Sequence, residues 1–160
     1  MQKMTILCTG KLKEKFYLDA VAEYVKRLSR FCKLEIIELP EERLPEDPSP
    51  AQIEAALSKE ADAVRAKLPN GCLVIAMCVE GRERSSEELA RYLADSAAQG
   101  ASHIVFLIGS SFGMHESLKR QAALRLSMSP MTFPHHLARV MVLEQVYRAL
   151  NIAAGGKYHK

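Results

Sequence analysis

The sequence contains no tryptophan, only four cysteines and no long apolar run. None of its apolar stretches approaches the ~20 residues that a helix needs to cross a bilayer. The amino terminus carries only a short apolar run, residues 6–8, without a small-residue cleavage site, so a signal peptide is not expected. No two cysteines form a C-x-x-C pair, which argues against a zinc site and favours free thiols in a reducing cytoplasm.

Common nucleotide and metal motifs are also missing. No G-x-G-x-x-G follows the first apolar segment, and no G-x-x-x-x-G-K-[ST] phosphate loop occurs anywhere in the chain. The five histidines are scattered and show no H-E-x-x-H or other metal-ligand spacing. We therefore expect neither nucleotide-dependent phosphoryl transfer nor a metal site.

The chain does contain a regular alternation of apolar segments with amphipathic helical segments. Its 160 residues, 48% of them hydrophobic, are expected to form a single domain, residues 1–160. Capping boxes at Ser49 and Ser85 predict the starts of two helices. The strands are expected at residues 4–9, 34–39, 72–79 and 103–108, the third being closed by residues 80–81. The alternation predicts an α/β fold with a mainly parallel sheet and helices on both faces.

Two strand ends stand out as a place for a ligand, because parallel sheets bind ligands beyond the carboxyl ends of their strands. The first is residues 77–81, and the second is residues 108–113, which include the loop G-S-S-F-G. A further polar loop, residues 129–132, precedes Pro134, which opens a long apolar helix. These loops predict a small-molecule site in the last third of the chain.

The loop G-S-S-F-G also fits G-x-S-x-G, the nucleophile-elbow pattern of serine hydrolases. The chain order permits a triad of Ser111, Glu144 and His159. Glycines at these positions equally allow a backbone to approach a ligand at a helix N-terminus. A serine hydrolase is therefore retained as an alternative, although the chain is short for that fold.

The net positive charge of the chain lies in its second half, together with several titratable groups. Residues 81–160 carry ten basic and six acidic side chains, which permits a polyanionic partner. Arg139 lies one helical turn after His135 and is placed to hold an anion beside the same loop. Tyr158 and His159 follow two glycines and offer groups for base stacking and proton transfer.

Several motifs together resemble one known family over the full length of the chain. They are G-K-L-K-E-K-F-Y, F-L-I-G-S-S-F-G, M-S-P-M-T-F-P-H-H-x-A-R, L-E-Q-V-Y-R-A and the terminal Y-H-K. The sequence is similar to the ribosomal RNA large subunit methyltransferase H group of the SPOUT superfamily. Ser110 stands where a second glycine is common in that group. The resemblance implies methylation of N3 of a pseudouridine in large-subunit (23S) ribosomal RNA, with S-adenosylmethionine as methyl donor.

The resemblance also implies an architecture and a set of site residues. It implies a C-terminal trefoil knot within about residues 72–160, a homodimer built around the last helix, and action on assembled ribosomes in the cytoplasm. The catalytic candidates are Arg139, Tyr158 and His159 near the base, with His135 shaping the cofactor loop. The implied cofactor-binding residues are Met77, Gly109, Met128, Ser129, Pro130, Met131, Thr132 and Phe133. A non-catalytic ribosome-binding factor is the other alternative.

Overall fold

A computed structural model describes all residues, 1–160, as a layered α/β fold. Its strands are β1 (Lys3–Thr9), β2 (Lys33–Leu39), β3 (Leu73–Glu83), β4 (His103–Ile108) and β5 (Leu124–Ser127). Its helices are α1 (Lys15–Leu28), α2 (Pro50–Lys67), α3 (Ser86–Ala98), α4 (Glu116–Gln121) and α5 (His135–Ala153).

The five strands form one parallel sheet in the order β2-β1-β4-β3-β5. Helices α1, α3 and α5 cover one face, where they pack on side chains such as Ile6, Ile75 and Phe106. Helices α2 and α4 cover the other face through side chains such as Leu7 and Leu107. The predicted parallel α/β sheet with helices on both faces is confirmed. The trefoil knot stays a prediction.

Local signals in the sequence set the starts of two helices as predicted. The Ser49 hydroxyl accepts from the N–H of Gln52, and the Gln52 side chain accepts from the N–H of Ser49. Ser85 and Glu88 make the same reciprocal pair at the start of α3. Each pair satisfies two backbone donors that a helix N-terminus otherwise leaves free.

The predicted end of the third strand is wrong. Strand β3 does not close at residues 80–81 but continues to Glu83, with a shift of register against β5 between Met77 and Arg82. Gly81 makes this path possible, because a Cβ atom there would lie 2.9 Å from the backbone of Leu126. A glycine inside a strand therefore marks an irregularity and a close backbone approach here, rather than a turn.

Strand β5 was not expected from the sequence, since Leu124–Ser127 is only four residues long and includes an arginine. It pairs with β3 at the edge of the sheet and leads into the loop before α5. Helix α5 packs against both α1 and α3, which explains why it is apolar on more than one face. None of the helices is long and apolar enough to cross a membrane.

Candidate functional site

A cavity of about 840 Å³ opens at the carboxyl ends of β3, β4 and β5. Its walls come from the end of β3, the loop after β4 and the loop between β5 and α5. Seven of the eight predicted cofactor-binding residues line it: Met77, Gly109, Met128, Ser129, Met131, Thr132 and Phe133. Pro130 belongs to the same loop but does not line the cavity. We call this space the cofactor cavity, and the role of its residues stays a prediction.

The loop after β4 is a tight turn whose shape depends on its glycines. Ser110 N–H donates to the Gly113 carbonyl at 3.0 Å, and Gly113 N–H donates back to the Ser110 carbonyl at 2.9 Å. A Cβ atom on Gly109 would collide with the Gly113 carbonyl, and Gly113 itself has φ +92°. The turn therefore requires glycine at both ends of the motif.

The loop after β5 is stabilised by its own serines. The Ser127 hydroxyl donates to the Ser129 carbonyl at 3.0 Å, and the Ser129 hydroxyl accepts from Met131 N–H at 3.0 Å. Met131 and Phe112 both line the cavity, and their side chains are 73% and 47% exposed. The loop is thus rigid at its base and presents apolar side chains at its rim.

Two glutamates from outside the cavity hold the loop after β4. The Ser110 hydroxyl donates to Glu60 Oε1 at 2.7 Å, and Ser111 N–H donates to Glu41 Oε1 at 3.0 Å. Glu60 also accepts from Glu42 N–H at 2.9 Å, so it joins the segment after β2 to this loop. Burial raises the pKa of Glu60, more than the hydrogen bonds from Glu42 N–H and Ser110 lower it.

Replacing Glu60 with alanine should lower the free energy of unfolding by about 1 to 3 kcal/mol, because Ser110 and Glu42 N–H lose their buried acceptor. Glu60→Gln should keep most of that stability. Because the folded pKa of Glu60 is raised, the proton-linked part of its contribution to stability is fully present below the unfolded pKa and is lost as pH rises through the folded value. Urea unfolding of both variants and wild type at several pH values measures this. A wild type that gains stability over Glu60→Gln as pH rises would contradict it.

His135 is the only predicted catalytic residue that lines the cofactor cavity. Its ring packs edge-on against His136, with centroids 4.1 Å apart. Burial, followed by the charge of His136, lowers the pKa of His135, so the imidazole is neutral at neutral pH. Gly10 packs closely on it, since a Cβ there would lie 3.3 Å from His135 Nε2. The ring is therefore held in place beside the loop that precedes α5.

Arg139 does not face the cofactor cavity. It is 2% exposed, and it donates to Glu38 Oε2 at 2.6 Å and to the Gly10 carbonyl at 3.1 Å. Glu38 also accepts from Leu12 N–H at 2.9 Å. The guanidinium is thus already engaged with β2 and with the segment after β1. The sequence did not show this, because Glu38 lies 101 positions away.

Tyr158 and His159 lie in an ordered tail that folds back on α5. Gly155 has φ +71°, and the N–H groups of Gly155 and Gly156 donate to the carbonyls of Ile152 and Asn151, a Schellman arrangement. The Tyr158 hydroxyl donates to Glu144 at 2.8 Å. His159 Nε2 lies 2.7 Å from Glu87. None of these partners lines the cofactor cavity, so one chain does not bring the tail and His135 together.

A second space of about 360 Å³, which we call the smaller cavity, lies between the start of α3 and α5. It shares Leu126 and Met128 with the cofactor cavity, so the end of β5 forms a common wall. Glu144, the partner of Tyr158, also lines it.

The geometry does not support the serine hydrolase alternative. Ser111 contributes its backbone N–H to Glu41, and no histidine is within hydrogen-bond distance of its hydroxyl. Glu144 is bonded to Tyr158 and Arg148, and His159 to Glu87 and Arg148. The three members of the proposed triad are therefore not assembled. No group of three or more His, Cys, Asp or Glu side chains is arranged to hold a metal ion.

The sheet and the cavity at its carboxyl edge define an α/β protein with a small-molecule site built from the end of β3 and two loops. A family model described as "Predicted SPOUT methyltransferase" matches residues 2–159, and the chain belongs to this family. It is 45% identical over 158 residues to a ribosomal RNA large subunit methyltransferase H of Streptococcus uberis, covering 99% of each chain. It is 43% identical over 155 residues to the protein of the same name in Lactobacillus delbrueckii subsp. bulgaricus, covering 97% of this chain and 98% of the other. It is 44% identical over 158 residues to the protein of the same name in Bifidobacterium adolescentis, covering 99% of each chain.

Proposed function

We propose that this protein transfers a methyl group from S-adenosylmethionine to N3 of a pseudouridine in large-subunit ribosomal RNA. The observation that carries the proposal is the cavity of about 840 Å³ at the carboxyl ends of β3, β4 and β5 in a chain of the SPOUT methyltransferase family. The full-length similarity to proteins named for ribosomal RNA methylation supports the substrate class. We further propose that the 160 residues form one domain, knotted in its C-terminal half, which acts on assembled ribosomes in the cytoplasm.

The residues of the cofactor cavity fit S-adenosylmethionine. The volume lies within the roughly 300–1,000 Å³ range of small-molecule sites. Met77, Ile108 and Phe133 offer apolar surface for a purine and its sugar, and Ser129 and Thr132 offer polar groups for an amino acid. When bound there, the cofactor supplies a methyl group activated by its sulfonium charge.

The protein itself must orient the base and manage one proton, because N3 of a pseudouridine is a weakly acidic imide nitrogen. Orientation of the reacting groups can contribute several kcal/mol. Tyr158 and His159 are the proposed groups for contact with the base and for proton transfer. Neutral His135 shapes the cofactor loop. Because Arg139 is buried against Glu38, we propose that it positions the segment of Gly10 rather than touching the base.

A homodimer would bring together the tail and the cofactor cavity, which lie apart in one chain. In one chain the tail contacts Glu144 and Glu87, whereas His135 lies in the cofactor cavity. We propose that two subunits pair around α5 through identical surfaces, with the tail of one subunit near the cofactor cavity of its partner. The exposed Phe112 and Met131 at the mouth give such a pair apolar surface to bury.

The proposal is tested by transfer of labelled methyl from S-adenosylmethionine to ribosomes of a strain that lacks this protein, compared with free ribosomal RNA. We expect transfer to ribosomes, with the label at N3 of a single pseudouridine after nuclease digestion. Absence of transfer to both substrates would refute the proposal. Binding to ribosomes without transfer would indicate a non-catalytic binding factor, and labelling of Ser111 by a serine-reactive phosphonate would indicate a hydrolase.

A further inference from the structure

A bulge in β3 carries Glu80 to the wall of the cofactor cavity. Met77 and Arg82 both pair with Leu126, so residues 78–81 between them have no partner in β5. Bulges in strands often lie beside functional sites, where they redirect a side chain. Glu80 lies within this bulge and is the only acidic residue that lines the cavity.

Lys119 of α4 holds the Glu80 carboxylate in place. Its ammonium donates to Glu80 Oε1, and no other side chain donates to that carboxylate. This hydrogen bond is the largest of the effects that keep the pKa of Glu80 below its ordinary value. The Glu80 side chain is 53% exposed and has lone pairs left to accept further hydrogen bonds. Lys119, which is the only lysine or arginine in the lining, keeps two N–H groups free.

The ion pair suits one part of S-adenosylmethionine better than the others. Because Lys119 already neutralises Glu80, the ammonium of the cofactor's amino acid would lie beside a like charge. The ribose instead carries two neighbouring uncharged hydroxyls, and both can donate to one carboxylate. Their oxygens can also accept from the free N–H groups of Lys119. A neutral diol therefore matches this pair better than a cation does.

We infer that the Glu80 carboxylate binds the ribose hydroxyls of S-adenosylmethionine and that Lys119 is the residue that positions it. The inference rests on the proposed function and gives the bulge in β3 a role in cofactor specificity. Met77, on the same strand, is the residue proposed to offer apolar surface to the purine and its sugar. Gly81 allows the bulge, because a Cβ atom there would lie 2.9 Å from the backbone of Leu126.

The variant Glu80→Ala and two ligands, S-adenosylhomocysteine and its 2′,3′-dideoxy form, test the inference. Calorimetry measures the affinity of each protein for each ligand. We expect wild type to bind the dideoxy form about 10- to 100-fold more weakly than the parent, because an ionised acceptor loses its donors. Glu80→Ala should bind the parent more weakly than wild type does. It should distinguish the two ligands by no more than about threefold, because the residue and the hydroxyls act through one interaction.

Glu83→Ala is the matched control, since Glu83 is an exposed carboxylate of the same strand that does not line the cavity. It should bind both ligands as wild type does. Lys119→Met should weaken binding of the parent ligand, and Lys119→Arg should restore most of it. The reason is that a cation beside the carboxylate is enough to hold it in place.

Two results would overturn the inference. One is a Glu80→Ala protein that distinguishes the two ligands as strongly as wild type does. The other is a binding defect in Glu80→Ala that disappears when the ligand lacks its amino group, which would place the ammonium at Glu80. A wild-type protein that binds neither S-adenosylhomocysteine nor S-adenosylmethionine would instead refute the proposed function.

Discussion

Replacing Glu38 with alanine should lower the free energy of unfolding by about 2 to 3 kcal/mol. The change leaves the guanidinium of Arg139, which is 2% exposed, without its counter-charge. Breaking a fully buried ion pair costs about 3 to 5 kcal/mol. We expect less here because the Glu38 side chain is 33% exposed and water can replace part of it. Urea unfolding followed by circular dichroism measures the loss.

The stability loss in Glu38→Ala should also depend on pH in a defined direction. Burial alone would raise the pKa of Glu38, but hydrogen bonds from Arg139 and Leu12 N–H and the Arg139 charge together hold it below its ordinary value. A lowered folded pKa contributes stability above the unfolded pKa, about 4.3, and loses it as pH falls through the folded value. The difference between wild type and variant should therefore be greatest at neutral pH and shrink in acid.

Two further variants separate the ion pair from other effects at this position. Glu35→Ala removes an exposed carboxylate from the same strand and should change stability by no more than about 0.5 kcal/mol. Combining Glu38→Ala with Arg139→Met should recover stability, because no buried charge is left unpaired. If Glu38→Ala unfolds with the same free energy as wild type, the burial of the Arg139 guanidinium does not require the Glu38 carboxylate.

Deleting residues 158–160 should reduce methyl transfer to ribosomes by about 10²- to 10⁴-fold, the range that a positioned acid or base contributes. Cofactor affinity should stay within about twofold, because none of the three deleted residues lines the cofactor cavity. The measurement pairs single-turnover methyl transfer with calorimetric titration of S-adenosylmethionine. Transfer by the truncated protein at the wild-type rate would show that the tail has no part in the reaction.

Single substitutions show which tail residue contributes to methyl transfer. Tyr158→Phe keeps the ring against Tyr147, whose centroid is 4.7 Å away, but removes the hydrogen bond to Glu144. His159→Asn removes the imidazole that contacts Glu87. His103→Asn is a suitable control for the second change, because His103 begins the central strand β4, at the amino ends of the strands, and its side chain bonds only to Thr5. It should not slow methyl transfer.

Features that depend on neighbouring residues were predictable from the sequence. The capping pairs of Ser49 and Ser85 need only residues three positions apart, and both occur as expected. The continuously apolar segment of β4 and the glycines that follow it predicted one wall of the cofactor cavity. The motifs of the last third named most of its lining residues.

Features that depend on distant residues were not predictable. Glu60 and Ser110 are 50 positions apart, and nothing in either neighbourhood indicates their bond. From the sequence, Arg139 is a helical cation available to bind an anion. In the structure it is paired with Glu38. The sequence predicts that β3 ends at residues 80–81, because it does not show that β5 passes within 2.9 Å of the Cβ position of Gly81. In each case tertiary contact overrides the local pattern.

The docking of the tail onto α5 gives the protein an optical reporter of its own. The chain has no tryptophan, so its near-ultraviolet emission comes from five tyrosines. Three of them form a cluster, with the ring of Tyr147 4.7 Å from Tyr158 and 6.4 Å from Tyr24. A carboxylate that accepts a tyrosine hydroxyl quenches the tyrosine's emission, so we expect Tyr158 to be quenched while it donates to Glu144. Release of the tail would therefore brighten the protein without any added label, so the movement of the last three residues can be followed in real time on the native chain.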